Sequence, residues 1–168
     1  VIERFMGHVH GLTCDGSTKM SGGNDGAALL GMIAAGALST FGIGTLRGWA
    51  VTGCVVSAAG LVALGAGGPL MAGVITLGVG NGLFVVGAIG SMMRLAAERE
   101  EATGTRMGVF GAAQAIAAGL AGLIATGTLD VARLAMPDAA AYATVFGLEA
   151  VLFLAAALVA LRILHTRP

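Results

Sequence analysis

The chain has 168 residues, 57% of them hydrophobic and 11% charged. A soluble domain carries about 25% charged residues, so this composition excludes an ordinary water-soluble fold. Nine basic and nine acidic side chains cancel, which excludes a global field for nucleic acid. Mean hydropathy is +0.91, and the 29 glycines lie mostly inside apolar runs, where they suit close helix contact rather than linkers.

Residues 1–25 are polar and Gly-rich and contain no span. They read as an extramembrane segment on the periplasmic side. Val1 and the missing basic n-region read as the interior of a longer protein rather than a signal peptide. His8 and His10 would share one face of a strand, but two histidines without a third ligand point to an exposed loop, so no metal site is expected. Cys14 and Cys54 lack redox or metal spacing, and no disulfide is expected.

A spanning helix needs about 20 apolar residues. Five segments qualify, at 26–45, 48–66, 69–93, 107–128 and 141–163. They predict an all-α integral membrane protein with a five-helix bundle over 26–168. Trp49 opens the second span and is expected to anchor at the interface. Asn81 lies in the middle of the third. The link at 94–106 is the most charged stretch. There Glu98, Glu100 and Glu101 interleave with Arg94, Arg99 and Arg106, in ion pairs worth little each or in a docking face.

The run GTRMGVFGAAQAIAAGLAG leads from that link into the fourth span. Gly104, Gly108, Gly111, Ala115, Gly119 and Gly122 recur every three or four positions and share one helical face. Such a face lets another backbone approach, so this span reads as a packed interior helix. Gln114 sits within it. The link at 129–140 holds Pro137, which suits a break between helices, and Asp138, a candidate cap for the next helix. Glu149 lies about 12 Å into the last span. His165 stands at its far edge, and no histidine lies at mid-membrane depth.

Basic residues set orientation. Arg47, Arg94, Arg99, Arg106, Arg162 and Arg167 fall on one side, and Arg4, Lys19 and Arg133 on the other. The first side is expected to be cytoplasmic, with the C-terminus. Five spans in this order fit the eighth to the twelfth of a twelve-span transporter fold with two six-helix halves.

The run from Gly104 to Gly122 resembles the eleventh-span region of the PucC/LhaA family. These are major-facilitator-like proteins that assist assembly of bacterial light-harvesting complexes. The opening VIERFMGHVHGLT is similar to that family's LEPFGGEVFGLS, with Glu3, Phe5, Gly7, Val9, Gly11 and Leu12 matching. Arg4 departs from a family proline, His8 from a family glutamate, and the segment Cys14–Asp25 matches poorly. Gly80, Asn81, Gly82, Leu83 and Phe84 fit the family's tenth span.

The resemblance implies the C-terminal half of a major-facilitator fold in a bacterial inner or intracytoplasmic photosynthetic membrane. It also implies a role as an assembly factor or accessory subunit beside bacteriochlorophyll, antenna polypeptides and the reaction centre. A fragment of a small-solute transporter is the alternative. No Walker loop, HExxH or paired catalytic carboxylates are present, so no enzyme is expected.

Three intramembrane polar residues stand out as candidate pigment or partner contacts: Asn81, Gln114 and Glu149. Buried amides need partners in hydrocarbon. Two readings stand for Asn81 and Gln114: a bond between helices, or a contact to pigment, where an amide oxygen can ligate magnesium. An intramembrane carboxylate such as Glu149 is a functional candidate or a hydrogen-bonded interfacial carboxyl.

Overall fold

A computed structural model describes Phe5 and residues 14–97 and 103–163. Among the described residues the chain forms five helices and no strand: α1 (Cys14–Thr40), α2 (Leu46–Gly65), α3 (Leu70–Ala97), α4 (Thr103–Ala135) and α5 (Asp138–Ile163). The last four are long and apolar enough to cross a membrane. The first is not, which changes the expected span at 26–45. Its helix starts at Cys14, so the polar stretch with Lys19, Asn24 and Asp25 forms its opening turns instead of a separate segment.

The breaks have local causes. Between α1 and α2, Gly42 and Gly44 take φ of 73° and 84°, which glycine adopts freely. Gly44 also makes room for Trp49, since a Cβ there would sit 2.9 Å from the indole ring. The Thr45 hydroxyl accepts from the Gly48 N–H at 3.0 Å and caps α2. At the other end of α2, Gly67 has φ of 75°. Its N–H donates to Leu64 and that of Gly68 to Ala63, a Schellman closure followed by Pro69. The expected link at 129–140 shrinks to Met136 and Pro137, because α4 runs on to Ala135. Asp138 is the first helical residue of α5, and its carboxylate takes the Arg133 guanidinium at 2.7 Å.

The third helix is the centre of the bundle, packed between α1 and α2. Gly73, Gly80 and Gly87 fall seven residues apart, so they share one face. A Cβ on Gly80 would lie 2.5 Å from the Ser57 nitrogen, and one on Gly87 would lie 2.5 Å from the Leu46 carbonyl oxygen. Gly53 and Gly60 answer from α2, the latter 2.8 Å from the Leu77 nitrogen by the same measure. Gly78 and Gly82 lie on the other side of α3 and meet the backbone of α1 at Asn24 and Ala28. The α1 and α3 chains therefore run parallel and α2 runs antiparallel to both.

The helix α5 packs on α2. Its Tyr142, Val145 and Phe146 are fully buried with Leu61, Val74 and Leu129. Phe5 joins them, its ring centroid 5.2 Å from Tyr142 and 5.1 Å from Phe146, both edge-to-face. At the opposite end of the bundle, Arg47 donates to the Leu161 carbonyl at 2.6 Å and Arg106 to the Leu95 carbonyl at 2.8 Å. Each arginine meets orphan carbonyls at a helix C-terminus, where positive charge is favoured.

The expectation of an interior fourth span does not hold within this chain. No residue in the most apolar stretch of α4 is buried. Gly104, Gly108, Gly111, Gly119 and Gly122 have nothing within reach of an added Cβ, and Ala115 is exposed. The close-packed glycines are those of α2 and α3. Small residues permit close approach, but the partner must be present to use it.

Candidate functional site

Because α4 touches the bundle only lightly, a cleft of about 770 Å³ opens between α4 and α5. Ala117, Ala121 and Ile124 form one wall, and Leu152, Phe153 and Ala156 the other. Cys54 from α2 and Phe84 from α3 lie at its base. Cys54 is a buried free thiol. The lining is almost wholly apolar, and the volume falls in the range of about 300–1,000 Å³ typical of small-molecule sites.

Gln114 and Glu149 both line this cleft. Gln114 is exposed and Glu149 half-buried, and neither side chain makes a hydrogen bond among the described residues. They do not meet at one point. Leu95 pairs with Arg106 across α3 and α4, which puts Phe84 level with Ala117. Arg47 pairs with Leu161 and Gly65 lies against Ala143, which puts Cys54 level with Phe153 and Leu154. By these registers Gln114 and Glu149 are about 12–15 Å apart along the helix axes. Gln114 lies toward the Arg47 and Arg106 end, and Glu149 toward the aromatic cluster.

Asn81 stands elsewhere. It faces α2, where its Oδ1 accepts from the fully buried Ser57 hydroxyl at 3.4 Å, and it is not among the cleft-lining residues. Of its two readings, the bond between helices has a partner in place. Trp49 sits in the first turn of α2, half-buried, its Nε1 without a hydrogen bond among the described residues.

His8, His10, His165 and the glutamates of 98–101 lie outside the described residues. Among the described residues no three His, Cys, Asp or Glu side chains converge on a metal-sized site. Two parts of the arrangement escaped the sequence reading. The seven-residue spacing of Gly73, Gly80 and Gly87 was a usable signal for the packed face. Cys54 and Phe84 carried none, since only the crossing of four helices puts them at one cleft.

The family profile described as PUCC protein matches residues 1–167. The chain is 48% identical over 174 aligned positions to a Rhodobacter capsulatus protein named bacteriochlorophyll synthase 44.5 kDa chain, covering 99% of this chain and 41% of that one. It is 32% identical to Protein PucC of Cereibacter sphaeroides, over 89% of this chain and 34% of the relative. The chain thus spans about two-fifths or less of the length of these relatives. No solved structure matches it.

Proposed function

The chain belongs to the PUCC protein family, and from that premise we propose that it is a membrane-embedded part of an assembly factor for a bacterial photosynthetic light-harvesting complex. The observation that carries this reading is the cleft between α4 and α5: large, almost wholly apolar, and furnished with two polar side chains. Such a site suits a membrane-dissolved cargo better than a polar solute. The name of the Rhodobacter capsulatus relative supplies the candidate, bacteriochlorophyll.

The donor set fits that group. The Glu149 carboxyl and the Gln114 amide stand about 12–15 Å apart along the helix axes, so at most one of their oxygens would reach a magnesium, and the alanine-rich walls leave room for a flat ring. When bound, the pigment supplies light absorption and a chemically sensitive ring. The residues of this chain would orient it and exclude water from it. No catalytic step is assigned. The word synthase in the relative's name is read as a label for the process rather than a reaction of this chain.

The open small-residue face of α4 from Gly104 to Gly122 is proposed to receive antenna or reaction-centre helices, because packing in lipid rests on such close approach. The membrane is proposed to be the inner or intracytoplasmic photosynthetic membrane. The end carrying Arg47, Arg94, Arg106 and Arg162 would face the cytoplasm.

The test is a strain lacking the full-length protein, assayed for pigment precursors and for assembled antenna by absorption. Antenna should fall while bacteriochlorophyll synthesis stays competent. A block at one biosynthetic intermediate, or normal antenna with a lost solute uptake, would replace this reading with an enzyme or a transporter.

A further inference from the structure

Two polar side chains at different depths in one apolar cleft place a condition on the occupant. Each would cost several kcal/mol if left without a partner in hydrocarbon. Neither makes a hydrogen bond among the described residues. Their separation of about 12–15 Å along the helix axes is too long for one small polar group to serve both. The surface between them is apolar, formed by residues such as Ala117, Ala121, Leu152 and Phe153, with Cys54 and Phe84 at the base.

We infer that Gln114 and Glu149 are a two-point specificity device. The cleft takes an elongated, membrane-soluble molecule with polar groups toward opposite edges of an apolar body. The Gln114 amide donates to an oxygen at one edge, and the Glu149 carboxyl, as the protonated acid, donates to an oxygen at the other. The inference rests on the pigment reading above, since a bacteriochlorophyll ring bears carbonyl groups on opposite edges. It adds that recognition runs through those edges and that the two residues contribute separately. Asn81 takes no part, because its amide oxygen is engaged with Ser57 away from the cleft.

Substitution of either residue should leave the fold intact. Gln114 is exposed, Glu149 is half-buried, and neither holds a neighbour by a hydrogen bond among the described residues. The experiment uses the full-length protein in nanodiscs, titrated with bacteriochlorophyll a and with phytol, an apolar chain polar at one end only. Binding is followed by pigment absorption and competition, and carbonyl stretching by resonance Raman.

The wild type should bind the pigment and not phytol. Gln114→Leu and Glu149→Leu should each weaken pigment binding by roughly tenfold and shift different carbonyl bands. Asn81→Leu should change neither. Pigment bound equally by both leucine variants with unmoved carbonyl bands overturns the two-point inference and leaves the pigment reading standing. A wild type that binds no pigment overturns both. Equal binding of phytol and pigment also overturns the inference, since one polar end would then suffice.

Discussion

Gly80 and Ser57 stand so close that a Cβ on the glycine would lie 2.5 Å from the serine's backbone nitrogen. This contact joins the two most extensively packed helices of the bundle. Overpacking costs about 1–3 kcal/mol in a filled interior. Gly80→Ala should therefore lower stability by that amount, and Gly80→Leu by more. Thermal unfolding in detergent, read from the single tryptophan, Trp49, measures it. Unchanged midpoints would mean that α2 and α3 are not in backbone contact.

Gly111→Leu and Gly119→Leu give the opposite pattern. Among the described residues nothing lies within 4 Å of an added Cβ at either position, so unfolding should stay within about 0.5 kcal/mol of wild type, as for surface changes. Antenna polypeptides recovered with the protein should fall, and should fall less for Ile116→Leu. Equal recovery for all three would remove the proposed docking role of this face.

Phe146 and Asp138 test where stability resides at the start of α5. Phe146 is fully buried between Phe5 and Tyr142. Its replacement by alanine should cost about 3–5 kcal/mol. Asp138 pairs with Arg133 at 2.7 Å, but both side chains are partly exposed. Asp138→Asn should cost under about 1 kcal/mol. A larger loss from Asp138→Asn than from Phe146→Ala would contradict the aromatic core.

Ser57→Ala removes the donor to Asn81. Polar contacts between membrane helices average about 0.6 kcal/mol, so the loss should be small. In a double-mutant cycle Ser57→Ala and Asn81→Leu should couple by a similar amount. Strict additivity would show that the 3.4 Å contact contributes nothing.

Topology is testable at two turns. Phe41 is exposed beside the Arg47 end, and Ala66 is exposed in the turn at the opposite end. With Cys14 and Cys54 replaced, Ala66→Cys should react with an impermeant thiol reagent applied from the periplasmic side, and Phe41→Cys should not. The reverse labelling would invert the proposed orientation.

Much of the architecture was legible before any coordinates. Runs of apolar residues around Leu77, Ile116 and Leu152 had the length to span. The break at Pro137 followed from its missing N–H. Composition sets the start of the first apolar segment at residue 26, whereas packing of Asn24 and Ala28 on Gly78 and Gly82 extends the helix back to Cys14. Gln114 and Glu149 stood out as polar residues in apolar helices. That they share a cleft, and that Asn81 does not, depends on which faces turn together.

The sequence by itself determined an all-helical membrane protein with Arg47, Arg94, Arg106 and Arg162 toward one end, because apolar length and the missing backbone donor of proline act locally. Only the tertiary structure decided which glycines pack. The stripe of α4 and the stripe of α3 are alike in residue type, yet Gly80 meets Ser57 and Gly111 meets nothing. A missing side chain permits approach but does not attract a particular neighbour. Contact between helices distant in the chain is settled by the fit of whole faces, and the cleft that holds Gln114 and Glu149 is what remains where α4 and α5 fail to close.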